Sequence, residues 1–272
     1  MKIIDFDMKF FDFAQKWVAS HPGLTEDQIE ESYNQMMKEW LEAPAAWLEG
    51  ATPSRYFEQF SDPAELIEGM RAYFEKGYTL PEPLYSRIVA LGDAVAPQLY
   101  AILIDESEDA SLRAEAMVML RDTGSCIADA YLIEVVCRSE ASDSICDVAA
   151  EIVRSRGAGV VPALMDAYDA APAYAQMLIL EICCNYPGDE RIYAALMSQL
   201  RNDPEHRALY ASYLAKLGDE RALEPLRAML GMYDIDYLDY LELRNAVEAL
   251  GGDPGEERSF YGDPTFEALR NL

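Results

Sequence analysis

The chain carries two histidines and five cysteines, so any nucleophilic or metal chemistry must be built around these side chains or among its 49 acidic residues. His21 lies in Ser20-His21-Pro22-Gly23 and His206 in Pro204-Glu205-His206-Arg207. Both are polar helix-boundary settings with no second His or Cys at ligand spacing, which reads as a surface or capping role. Cys126, Cys137, Cys146, Cys183 and Cys184 form no C-x-x-C pair and are odd in number. That pattern argues against a zinc site or a disulfide framework and for free thiols in a reducing compartment. Cys183-Cys184 falls in an apolar helical run where packing explains it, and a cysteine nucleophile would need a base brought to it in space.

Other motifs are weaker. Gly157-Ala158-Gly159 begins like a dinucleotide fingerprint, but Pro162 stands at the third glycine position and the preceding segment has helical rather than strand periodicity. No phosphate-binding Gly-rich loop ending in Lys-Ser or Lys-Thr occurs, and no serine nucleophile elbow. Adjacent acids such as Glu30-Glu31 and Glu256-Glu257 do not face each other on a helix and read as solvated. Asp105-Glu106-Ser107-Glu108-Asp109 lacks the Gly and terminal Glu of a calcium loop and reads as a solvated connection. The segment from Tyr233 to Glu242 alternates aromatic and acidic residues, a composition that suits either core or interface. No catalytic, metal-ligating or cofactor-binding residue, and no cofactor, is expected.

The charge balance is lopsided: 22 Lys and Arg against 49 Asp and Glu give a net charge of -27. Direct nucleic-acid binding is not expected, because phosphate neutralisation needs clustered cations. A cationic partner is the natural complement, although abundant acid also keeps a protein soluble and monomeric. The longest apolar runs fall far short of the roughly 20 residues that cross a bilayer, so no membrane span is expected. Met1 to Asp7 carries acids early and lacks the apolar core of a leader, which predicts a cytoplasmic protein.

What must position these residues is a set of helices punctuated by glycine. Gly92, Gly124, Gly157, Gly188, Gly218 and Gly251 are spaced 32, 33, 31, 30 and 33 residues apart. Each follows an apolar stripe of helical period, and all but Gly251 precede another, the mark of a repeating two-helix hairpin. Tyr210, Tyr213, Leu214 and Leu217 lead to Gly218, and Leu223, Leu226 and Leu230 follow. Ile145, Val148, Ala149, Ile152 and Val153 lead to Gly157, and Val161, Leu164, Met165 and Tyr168 follow. The glycine is expected at the left-handed position that closes the first helix, with Asp219 capping the second. After Gly251 and Gly252 no apolar stripe follows, and the array is expected to stop.

The run Leu217-Gly218-Asp219-Glu220-Arg221-Ala222-Leu223-Glu224-Pro225-Leu226 resembles the inter-helix signature of HEAT repeats, in particular the short HEAT-like repeats first named from phycobilisome lyases. Echoes stand at Leu91-Gly92-Asp93-Ala94-Val95-Ala96-Pro97, Gly188-Asp189-Glu190-Arg191 and Arg244 to Gly251, while Ser125-Cys126-Ile127 replaces the acidic start in one unit. The resemblance covers Glu82 to Gly252. It implies an all-α fold: an α-solenoid of about five HEAT-like helix pairs, with the second helices lining a concave face. Members of the family mostly serve as scaffolds or adaptors. A minority modify chromophores or DNA bases, the DNA glycosylases among them through a basic concave groove that has no counterpart in this composition. An ordinary helical bundle with coincidental glycine caps is the plain alternative.

Residues 1–81 differ: all three tryptophans and five of the six lysines lie there, without the repeat. They are expected to form an N-terminal helical cap over the repeat array of 82–252, with its aromatics packed on the first repeat. The alternative is that Trp40, Trp47, Tyr56 and Phe57 form a recognition pocket. Thr25 is expected to open a helix to about Leu41, Thr52-Pro53 a short helix through Phe60, and Asp62-Pro63 another helix. Residues 253–272 are expected to form a loop and a short helix. If the helices after each turn line the concave face, Glu134, Asp166, Asp169, Gln199 and Arg227 are its exposed positions. The expected function is an acidic scaffold or adaptor that binds a protein or peptide of cationic character. Two alternatives remain beside it: a lyase-like modifying enzyme with a site assembled between repeats, and an acidic mimic of nucleic acid.

Overall fold

Burial follows the helical stripes. In the computed structural model, which describes residues 1–270, Leu84, Ile88, Leu99, Ile102, Leu164, Leu214 and Leu226 are all fully buried. Each such side chain contributes about 1.5–3 kcal/mol on leaving water. The described residues form 16 α-helices linked by short 3₁₀ turns, with no strand among them, so the fold is all-α. No helix is long and apolar enough to cross a membrane among the described residues. The chain divides into two compact units, Met1–Asp129 and Ala130–Leu272.

The first unit contains α1 (Phe6–Ser20), α2 (Glu26–Glu31), α3 (Tyr33–Glu42), α4 (Pro63–Glu75), α5 (Glu82–Val89), α6 (Ala96–Ile104) and α7 (Ala110–Asp122). Thr25 makes the expected capping box, its hydroxyl accepting from the Gln28 amide while the Gln28 side chain accepts from the Thr25 amide. The helix it opens does not run unbroken to Leu41. Ser32 interrupts it, its hydroxyl donating to the Gln28 carbonyl at 2.7 Å, a local bond that competes with the helix ladder. Thr52-Pro53 likewise leads only to a 3₁₀ turn, Tyr56–Gln59. Asp62 caps α4 as its sequence predicts.

Phe6 organises the aromatic cluster, with ring centroids 5.8 Å from Trp40, 5.5 Å from Trp47 and 5.6 Å from Phe57. Trp40, Tyr56 and Phe57 are buried, so most of this group is core rather than pocket. The 3₁₀ turn of Tyr56 packs on α5, and Arg87 donates to the Phe60 carbonyl at 2.8 Å. On α4, Gly69 has no side chain because Met1 packs there; a Cβ would fall 1.6 Å from its terminal methyl carbon. Further on, α4 packs on α5 and α6, α5 on α7, and α6 on α7.

The second unit contains α8 (Asp129–Arg138, whose first residue belongs to the first unit), α9 (Ser144–Ser155), α10 (Val161–Ala167), α11 (Ala173–Cys183), α12 (Glu190–Asn202), α13 (Arg207–Leu217), α14 (Leu223–Leu230), α15 (Tyr237–Ala249) and α16 (Pro264–Arg270). Neighbours pair in sequence, α10 with α11, α11 with α12, α12 with α13 and α14 with α15. Helices two apart also pack, α9 on α11 and α13 on α15. All six spaced glycines have positive φ, and Gly218 closes α13 at φ 73°, in the left-handed region that a Cβ disfavours. Arg207 pairs with Asp239 at 3.0 Å, joining α13 to α15 through two nearly buried side chains.

The segment after Gly231 resolves the choice left open by its alternating composition. Tyr240 is core and Tyr237 packs on Phe260 and Phe266, while Tyr233 is 96% exposed. Asp263 folds the last helix back, capping α16 and accepting from the Tyr237 amide at 3.1 Å.

Candidate interaction groove

The positioning device in the second unit is a repeated rung. Asp189 caps α12 by accepting from the Arg191 amide at 3.0 Å, and the Arg191 guanidinium folds back onto the same carboxylate at 2.7 to 3.1 Å. Its remaining nitrogen, Nη1, reaches Asp166 on α10 at 2.7 Å. Asp219 and Arg221 repeat the arrangement 30 residues later: the amide bond is 3.0 Å, and Arg221 reaches Glu190 at 2.9 Å. Arg221 also covers the Tyr193 ring, 4.4 Å from its centroid. The guanidinium bonds hold Asp189 and Asp219 below the usual carboxylate pKa. Asp189, with Asp166 second, holds Arg191 above its ordinary value.

Beside the first rung lies a groove of about 480 Å³ between α10, α11, α12 and the 3₁₀ turn Tyr168–Ala170. Its apolar lining includes Met165, Ala194 and Ala195; its polar lining includes Tyr168, Asp169, Gln176, Arg191, Ser198 and Gln199. Gln199 Nε2 donates to the Tyr168 hydroxyl at 3.0 Å and to Gln176 Oε1 at 3.2 Å, and Gln176 Nε2 donates to the Tyr168 carbonyl at 3.1 Å. This triangle locks three side chains from three elements. Burial, reinforced by Asp169, holds the Tyr168 phenol above its ordinary pKa despite the Gln199 bond, so the hydroxyl stays protonated. Its oxygen accepts from Gln199, leaving its own proton to donate.

Three of the five residues expected on the binding face therefore come together. Asp169 and Gln199 line the groove, and Asp166 holds its Arg191. Gln199 is half-buried, with its amide used within the triangle. Glu134 and Arg227 lie outside the groove lining. Glu134, exposed on α8, pairs with Arg138 at 2.5 Å. Arg227 is half-buried on α14, bonded to Glu224 at 3.0 Å and to the Asp253 carbonyl at 3.1 Å. Gln176, Ser198 and Arg191 were not expected as site residues. Of these only Arg191 carried a signal, the recurrence of Gly-Asp-Glu-Arg at 188 and 218.

The more reactive side chains sit elsewhere. Burial pushes the Cys183 thiol up to about 12 and the Cys184 thiol up to about 11, so both are protonated at neutral pH, the form in which a thiol is a poor nucleophile. His21 stacks on Trp17 with centroids 4.0 Å apart, and His206 bonds Asp203 at 2.9 Å. Among the described residues, no group of three or more His, Cys, Asp or Glu side chains is placed to hold a metal ion. No protein-family model, curated protein or solved structure matches the chain significantly.

Proposed function

We propose that the chain is an acidic repeat scaffold or adaptor whose second unit binds an extended, cationic protein segment in the groove beside Arg191. The observation that carries this reading is the excess of carboxylate at the groove mouth. Asp169 lines it, Asp166 and Asp189 flank it, and the guanidinium of Arg191 is already bonded to the latter two. The entering cation would therefore meet a net negative field. The protonated Tyr168 hydroxyl would donate to a carbonyl of the bound segment.

The repeated rungs support a HEAT-like stacking of hairpins within this unit. Each rung ties the start of one hairpin's second helix to the preceding repeat, Arg191 to Asp166 and Arg221 to Glu190. Tandem contacts of this kind are what a solenoid requires, and the α9–α11 and α13–α15 packings agree with it. A chain with this charge and architecture acts as a platform: it recruits by electrostatic steering and retains by groove contacts.

The test is a titration of a labelled peptide alternating Lys and Ala, with its Glu counterpart as control, at low and physiological salt. The Lys peptide should bind, and Asp169→Lys combined with Asp166→Lys should weaken it at least tenfold at low salt. Glu134→Lys, remote from the lining, should change affinity far less. Equal binding of the two peptides, or affinity indifferent to the double reversal, would overturn the reading, since exposed charge acts most strongly where screening is least.

A further inference from the structure

The first unit holds a second groove of different chemistry, about 330 Å³, lined on one side by α1 and on the other by the connection after α3. Lys9 and Lys16 stand on α1 with Asp12 between them, and the rest of the lining includes the half-buried Trp47, the exposed Pro44 and the buried Trp40 and Pro53. In a protein of charge -27 with six lysines, two of them meet at one groove. Neither makes an ion pair with the described residues, whereas Lys2 pairs with Glu49 at 2.9 Å. The two indoles are near-parallel, with centroids 6.5 Å apart and planes inclined by 23°. Trp47 is half-buried, and its indole N–H donates to none of the described residues.

We propose that this groove binds an acidic polyproline II segment carrying carboxylates at positions i and i+3. Lys9 and Lys16 are two helical turns apart, about 10.5 Å along α1. A polyproline II chain has three residues per turn and rises about 3.1 Å per residue, so side chains at i and i+3 point the same way about 9.3 Å apart. The spacing of the lysines therefore matches that of the carboxylates. An α-helical ligand would need its carboxylates at i and i+7 to span the same distance, about 10.5 Å, so the i, i+3 spacing is specific to the polyproline II conformation. The accessible apolar surface here is the half-buried Trp47 with the exposed Pro44, Trp40 and Pro53 being buried. An aromatic face of this kind is what the conformation docks on, and its carbonyls, free of internal bonds, are acceptors for the Trp47 indole. Asp12 repels an acid between the two anchors and so favours apolar residues there.

This inference concerns a separate surface and stands independently of the cationic segment proposed for the second unit. It is tested with three peptides at about 0.15 M salt, where the Debye length of about 8 Å screens the protein's distant acids but not a direct contact. The probe is acetyl-Pro-Glu-Pro-Pro-Glu-Pro-amide. One control replaces both Glu by Lys, and the other moves the second Glu to give i, i+2 spacing. Calorimetry and tryptophan fluorescence should show the probe binding at least tenfold more tightly than either control. Lys9→Glu with Lys16→Glu should reduce its affinity at least tenfold while the helical circular dichroism is retained. Trp47→Ala should remove the fluorescence response and weaken binding. Equal affinity for all three peptides, no binding at millimolar probe, or a probe indifferent to the lysine reversal would each overturn the proposal.

Discussion

Residues 6–60 and the helices from α9 to α15 are ordered by different means. In the first region one ring, Phe6, touches three others drawn from α3 and two 3₁₀ turns, Ala46–Leu48 and Tyr56–Gln59, and the helix opened by Thr25 is interrupted at Ser32. In the second, aliphatic stripes do the packing, and an Asp–Arg rung repeats at a spacing of 30 residues. A single aromatic cluster is not a pattern that can be extended. The rung can be repeated as often as the hairpin is. The contrast also divides the chemistry: unpaired lysines collect beside the aromatic cluster, and carboxylates collect beside the rung.

Core truncation should strike both regions hardest. Phe57, 1% exposed, should cost about 3–5 kcal/mol as Phe57→Ala, and Leu164, fully buried, about 2–5 kcal/mol as Leu164→Ala. Chemical denaturation reads both, and a midpoint unmoved by either would mean that the side chain is not core. A smaller effect separates the two roles of the rung. Asp189→Ala should cost about 1 kcal/mol through loss of the helix cap, while Asp189→Asn retains the cap and loses only the charge. Equal destabilisation by the two would show that the ion pair, not the cap, is what matters.

The smallest effect is a difference in titration. Asp189 and Asp219 should titrate below the ordinary aspartate value of 3.8, because the bonds from Arg191 and Arg221 favour the carboxylate. Their stabilisation is complete above the unfolded pKa and is lost as pH falls through the lowered folded values. Asp239 should titrate above 3.8, because burial first and Asp236 second outweigh the Arg207 bond. Its sign is opposite: ionisation opposes folding, and stability is regained as pH falls through its raised folded pKa toward 3.8. Carboxylate NMR resolves the three. An Asp239 value below 3.8 would mean that the Arg207 pair outweighs its burial.

Much of the helical grammar was legible because it is local. The spaced glycines take positive φ, Asp62, Asp189 and Asp219 cap the elements they precede, and Leu164, Leu214 and Leu226 are buried as their periodicity requires. The break at Ser32 in the helix expected from Thr25 to Leu41 was not legible, because the apolar period continues through it while its hydroxyl bonds the Gln28 carbonyl. Half of the candidate groove was equally hidden. Asp169 and Gln199 followed from their places in the segments after Gly157 and Gly188, but Gln176 and Ser198 have no marker in composition or spacing.

The sequence by itself determined the all-helical class, the punctuation of the hairpins and the acidic character, since each depends on neighbours within a few turns or on composition alone. Tertiary structure decided which charges meet. Arg191 finds Asp166 across 25 residues of chain, and Tyr168 joins Gln199 across 31, through packing of α10, α11 and α12. It also decided that Lys9 and Lys16 share a groove with Trp40 of α3 and Trp47 of the 3₁₀ turn beyond it. Such encounters depend on how helices lean against one another, a summed property of many side-chain contacts that no single spacing in the chain records.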